Sequence, residues 1–88
     1  MQQEEAKEIA REMYGWIQSA CGDMAEGDEA AAEDMYDDPD VMEDLLGDAV
    51  LDKAKGNMED MKLILKELLA IHRTGGVRTA IQRLIENH

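Results

Sequence analysis

The sequence predicts an all-α protein, a compact bundle of four to five short helices. Apolar residues recur at intervals of three and four through most of the chain, and capping residues and glycines separate these segments. No segment alternates apolar and polar residues with the Val, Ile and Thr content of a strand. Eighty-eight residues suffice for one domain, so residues 1–88 are interpreted as a single helical domain.

The first helix is expected from about Gln3 to Cys21, with Gly22 as its end. Gly15 lies inside this helix, where we expect it to let another helix approach closely. Its apolar stripe consists of Ala6, Ile9, Ala10, Met13, Ile17, Ala20 and Cys21.

A short second helix is predicted for Asp28–Tyr36, whose first residue is a favourable N-cap. Asp38 then caps a third helix that begins at Pro39, because proline suits the first helical position. Gly56 is expected to end this helix, and Gly47 to break or bend it. Its apolar face consists of Val41, Met42, Leu45, Leu46, Ala49, Val50 and Ala54.

Asn57 caps the fourth and most hydrophobic helix, with Asp60 in a position typical of a capping box. Its core-facing residues are predicted to be Met58, Met61, Ile64, Leu65, Leu68 and either Ile71 or His72. The last helix is expected over Val77–Asn87, with an apolar face of Val77, Ala80, Ile81, Leu84 and Ile85.

Charge is divided unevenly along the chain, whose formal net charge is −12. Residues 1–52 form an acidic part with 17 acids and two bases, whereas residues 53–88 form a mildly basic helical hairpin with seven bases and four acids. Residues 22–52 contain 13 acids and no Lys or Arg. A phosphate backbone repels such a chain, so neither direct nucleic-acid binding nor binding to an anionic membrane is predicted.

No catalytic, metal-binding or cofactor-binding constellation is recognisable, and an enzyme is not predicted. Cys21 lies on the apolar stripe and is interpreted as buried filler. His72 ends a hydrophobic helix, where it can meet the helix dipole, and His88 is the final residue. Calcium-loop spacing fails from both Asp23 and Asp38, which leaves only weak divalent-cation binding as relief of charge.

The composition indicates a cytoplasmic protein. There is one cysteine, no signal peptide is evident, and no apolar run approaches the roughly 20 residues that span a bilayer. The host cytoplasm is expected if the protein is encoded by a phage.

The acidic stretch is interpreted as an imitation of a polyanion. Its 13 acids, on helices that rise about 1.5 Å per residue, give roughly one charge per 3.6 Å, close to the ~3.4 Å of a DNA strand. In size, charge and helix content the chain resembles phage-encoded inhibitors of host nucleases and restriction systems, including anti-CRISPR proteins. This resemblance of composition implies an inhibitor or decoy that occupies the basic nucleic-acid-binding site of a partner protein.

The residues predicted to bind this partner lie on the second and third helices and between them. They are Asp28, Glu29, Glu33, Asp34, Tyr36, Asp37, Asp38, Asp40, Glu43 and Asp44. Met35 and Tyr36 are candidate apolar anchors among the charges.

Two alternatives stay open. The chain can be a helical homodimeric adaptor or assembly protein whose acidity serves only solubility. The hairpin can instead present a basic patch that grips DNA, as a helix-turn-helix does, with the overall charge against it. That patch would consist of Lys62, Lys66, Arg73, Arg78 and Arg83.

Overall fold

The computed structural model describes residues 1–87, which form five α-helices and no strand, so the all-α prediction is confirmed. The helices are α1 (Gln3–Met24), α2 (Glu29–Tyr36), α3 (Pro39–Lys53), α4 (Met58–Ile71) and α5 (Gly75–Asn87). The interpretation of His88 falls outside the described residues.

Helices α1 and α3 end in two separate turns of the same type, formed by residues 23–28 after α1 and by residues 52–57 after α3. Two central residues of each turn have positive φ, at 54° and 83° in the first turn and 53° and 79° in the second. Each turn then delivers an N-cap: Asp28 accepts two backbone N–H groups of α2, and Asn57 accepts two of α4. The chain therefore reverses twice by one local motif that ends one helix and starts the next.

Three glycine predictions are wrong. Helix α1 continues through Gly22 to Met24, because the left-handed backbone that ends it falls at Gly27 instead. Gly15 does not admit a neighbouring helix, since a Cβ added there would have no atom within 4 Å. Gly47 does not break α3, which runs uninterrupted to Lys53.

The capping box at α4 is only half formed. Asn57 caps the helix as expected, but its own N–H donates to the carbonyl of Ala54. The Asp60 carboxylate lies 3.0 Å from the amino group of Met1 instead.

One apolar core joins the helices. Helix α1 packs mainly on α4, and α5 packs on both α3 and α4. Seventeen buried apolar residues form this core, among them the predicted Cys21. At the end of α4 it is His72 that is buried, whereas Ile71 is exposed; Met58, predicted to face the core, is 40 % exposed because it lies in the first turn of α4.

A close backbone contact fixes the start of α5, which begins at Gly75 rather than at Val77. A Cβ on Gly76 would overlap the carbonyl group of Asp37, so only glycine fits there. Asp37 Oδ1 accepts the N–H of Gly76 at 2.9 Å. The junction between α2 and α3 is thereby fastened to the N-terminal end of α5.

Within residues 1–87, no helix combines the length and the apolar character that crossing a membrane requires.

Candidate protein-binding surface

The carboxylates of residues 22–52 are almost all on the protein surface. Twelve of the thirteen are exposed, and Glu43 is half-buried. Apolar residues of α2 and α3 face the core, so helical periodicity leaves the acids on the outer sides. The two helices also pack against each other, separated by only Asp37 and Asp38. The acids of the two helices therefore lie on adjoining parts of the protein surface.

On α3 the acids follow one stripe. Asp40, Glu43, Asp44 and Asp48 are spaced by three, one and four residues, which places them along the same side of a helix. On α2, Glu29 and Glu33 are one turn apart and line a shallow groove against α1. Both helices therefore carry rows of like charge on the protein surface.

One basic residue of the tail reaches this surface. Arg83 Nη1 lies 2.9 Å from Asp40 Oδ1 and 3.8 Å from Glu43 Oε2. No other Lys or Arg side chain among residues 1–87 comes within 4.0 Å of a carboxylate. The Asp40 side chain is 88 % exposed, so solvent screens this pair and it adds little to stability. Most of the acidic charge is thus left without a partner inside the described chain.

Three of the predicted partner-binding residues serve the fold. Asp28 and Asp38 are the N-caps of α2 and α3, and Asp37 holds the N–H of Gly76. Their carboxylates remain exposed while they accept these hydrogen bonds. They contribute charge to the surface, yet their position is set by helix capping.

Tyr36 is not a free anchor. Its ring is half-buried against the core, and its hydroxyl lies 3.1 Å from Nδ1 of His72. Burial raises the pKa of Tyr36, with smaller contributions from Tyr14 and Cys21. Met35 is likewise half-buried against the core. Both side chains therefore serve packing more than the sequence interpretation supposed.

The His72 ring is enclosed by two tyrosines. Tyr14 lies at a ring-centroid distance of 5.2 Å and Tyr36 at 6.2 Å. The residue is 4 % exposed, and its Nε2 is the buried side-chain polar atom without a hydrogen-bond partner among residues 1–87. Burial lowers the pKa of His72, so the neutral ring is favoured.

Two arginines of the proposed basic patch are engaged elsewhere. Arg78 Nη1 donates to the carbonyls of Leu69 and His72 and so caps the end of α4, and Arg83 meets the acids of α3. Lys62, Lys66 and Arg73 are the remaining bases of that patch, and none of them meets a carboxylate within residues 1–87.

Large exposed apolar side chains are the feature that sequence reasoning missed. Tyr14 and Trp16 are each 42 % exposed on α1, and Leu51 is 41 % exposed near the end of α3. All three lie outside the apolar stripe of their helix, and that position in the sequence could have predicted their exposure. Leu51 and Met58 share a groove with acids of α3.

Cys21 is a candidate nucleophile by residue type. Cys21 is buried, and burial raises the pKa of its thiol, which disfavours the reactive thiolate. Within residues 1–87, no three His, Cys, Asp or Glu side chains come together as a metal site would require.

No protein-family model, curated protein or solved structure matches this chain.

Proposed function

We propose that this protein is a small acidic inhibitor or decoy that occupies the basic nucleic-acid-binding site of a partner protein. The observation that carries the proposal is the lack of internal neutralisation. Arg83 is the one Lys or Arg of residues 1–87 that meets a carboxylate, while twelve acids of the acidic stretch are exposed.

An exposed carboxylate array of this kind generates a field that attracts a basic groove and speeds association. Because the helices are rigid scaffolds for these side chains, the charges are held in place rather than carried on a flexible tail. Binding of a basic partner would displace counter-ions, so the affinity should fall steeply as salt rises.

The proposal can be tested by capture and competition. Immobilised protein is exposed to a nuclease-treated bacterial lysate, and bound proteins are challenged with a short DNA duplex or with salt. The expected result is retention of basic nucleic-acid-binding proteins that the duplex releases. Retention that the duplex does not affect would contradict the proposal.

A charge-neutralising variant sharpens this test. Glu33→Gln, Asp34→Asn and Asp44→Asn together remove three exposed acids that make no hydrogen bond or ion pair within residues 1–87. We expect at least about tenfold weaker binding and a smaller salt dependence. The matched control neutralises Glu4, Glu5 and Glu8 on α1 and should change affinity less than about twofold.

A homodimeric adaptor is the second candidate, favoured by the exposed apolar side chains of Tyr14 and Trp16. It requires a concentration-dependent dimer in which these rings are buried. Sedimentation equilibrium tests the second candidate. A monomer would contradict the adaptor function, whereas the inhibitor function is compatible with a monomer.

A further inference from the structure

A groove opens between the outer side of α3 and the first turn of α4, with a volume of about 550 Å³. Met61 and Leu84 are buried and form its floor, and Leu51 and Met58 stand at its side, each about two-fifths exposed. We call this feature the α3–α4 groove. It offers an apolar strip that the fold leaves uncovered.

Acids of α3 also line the α3–α4 groove. Glu43, Asp44 and Asp48 belong to its lining, and no Lys or Arg does. Gly47 lies between them and has no side chain to fill the space. The groove therefore combines an apolar floor with a rim of one sign of charge.

The charge and shape favour one kind of occupant. The rim runs from Glu43 to Leu51, a rise of about 12 Å along α3, which is roughly two turns of a helix laid beside it. A basic amphipathic helix presents an apolar stripe to such a floor and Lys or Arg to such a rim. Methionines suit this role because their flexible side chains adapt to different apolar partners.

The chain itself shows how the rim holds a base. The guanidinium of Arg83 reaches both Asp40 and Glu43, which lie three residues apart on α3, and Glu43 also lines the groove. Asp44 and Asp48 are four residues apart further along α3, again about one helical turn, and meet no base within residues 1–87. An arginine or lysine on a partner helix would complete the pattern.

We propose that the α3–α4 groove binds a basic amphipathic helix of the partner protein, with its apolar stripe on Leu51 and Met58 and its bases on Asp44 and Asp48. The inference deepens the proposed function and rests on it for the basic character of the partner.

The experiment uses two synthetic peptides of identical composition. One peptide places Leu at helical intervals of three and four with Lys elsewhere, and the other has the same residues scrambled so that no apolar stripe forms. Binding of each labelled peptide to the protein is measured by fluorescence anisotropy. We expect the amphipathic peptide to bind at least about tenfold more tightly, since burying two large apolar side chains is worth at least that factor.

Variants locate the site. Leu51→Ser with Met58→Ser should abolish the advantage of the amphipathic peptide. The matched control, Met24→Ser with Ile71→Ser, removes two apolar side chains of similar exposure outside the groove and should preserve it. Amide chemical shifts should change most at Gly47 and its neighbours on α3.

Several results would overturn the inference. Equal affinity for the two peptides would show that charge alone drives binding, which leaves the proposed function intact. A loss of the advantage in the control variant, or a dimer of this chain that covers the α3–α4 groove, would also overturn it. The capture and competition experiment uses neither peptide, so failure of the proposed function would be seen separately.

Discussion

The junction between α2 and α3 differs from the outer side of the same two helices. At the junction, Asp37 and Asp38 each accept backbone N–H groups at the start of a helix. On the outer side, Glu33, Asp34 and Asp44 are exposed and meet no base within residues 1–87. The same residue type thus stabilises the fold in one region and supplies an unneutralised field in the other, although the two regions are adjacent in the sequence.

The largest effect on stability is expected from Gly76→Ala, which tests how closely the start of α5 packs against the junction between α2 and α3. The added Cβ would overlap the carbonyl of Asp37, so the backbone of α5 or of the junction must shift. We expect a loss of about 3 kcal/mol or more in the free energy of unfolding, measured by urea denaturation. A change below about 1 kcal/mol would mean that the contact is easily relieved.

Asp37→Ala should be the next largest effect. It removes the acceptor for the Gly76 N–H at the start of α5, at an expected cost of about 1 to 2 kcal/mol. The matched control is Asp34→Ala, an exposed acid on the last turn of α2, which should stay within about 0.5 kcal/mol of the parent. Equal losses from the two variants would remove the distinction between structural and surface acids.

The buried His72 predicts a pH dependence at the same end of the bundle. Burial lowers the pKa of His72 in the folded state. Below about pH 6.5 the unfolded state therefore binds a proton at this histidine more readily than the folded state does. Stability is therefore fully present above that pH and falls as the pH is lowered. We therefore expect the free energy of unfolding to fall between about pH 7.5 and 5.5, as measured by urea denaturation.

His72→Gln isolates this effect, because the variant keeps every carboxylate and His88. The variant also keeps Tyr14 and Tyr36, which face the ring, and Arg78, which donates to the backbone carbonyl of residue 72. Denaturation curves at a series of pH values should diverge for the two proteins. Parallel curves would show that His72 becomes protonated without cost to the fold.

The smallest effect is a gain from Gly22→Ala. This glycine lies inside α1, and an added Cβ would meet nothing within 4 Å, in contrast to Gly76. The higher helix propensity of alanine should raise the melting temperature and add about 0.5 to 1 kcal/mol. A loss of stability instead would point to a contact of α1 in solution that the bundle alone does not show.

Local signals predicted the helices well. Asp28, Asp38 and Asn57 were identified as N-caps from the sequence, and each accepts backbone N–H groups of the helix that follows. The end of α1 was placed too early, at Gly22. Two glycines were available, and only the one that adopts positive φ, Gly27, ends the helix.

Roles within the candidate site were harder to predict. Helical periodicity placed the acids of α3 outward, as found, but Tyr36 is half-buried beside His72. That contact joins residues 36 positions apart in the chain, and spacing along one helix carries no information about such pairs. Met58, in the first turn of α4, is partly exposed, and spacing along α4 did not predict that exposure either.

The sequence alone determined the helical content, three of the caps and the charge imbalance between residues 1–52 and 53–88, because each depends on residue type and local spacing. Tertiary structure alone decided which acids are used, since Asp37 finds Gly76 and Asp40 finds Arg83 across the bundle. It also placed Leu51 and Met58 beside the acids of α3. Contacts between distant segments depend on how helices pack, and packing is set by the whole core rather than by any one segment.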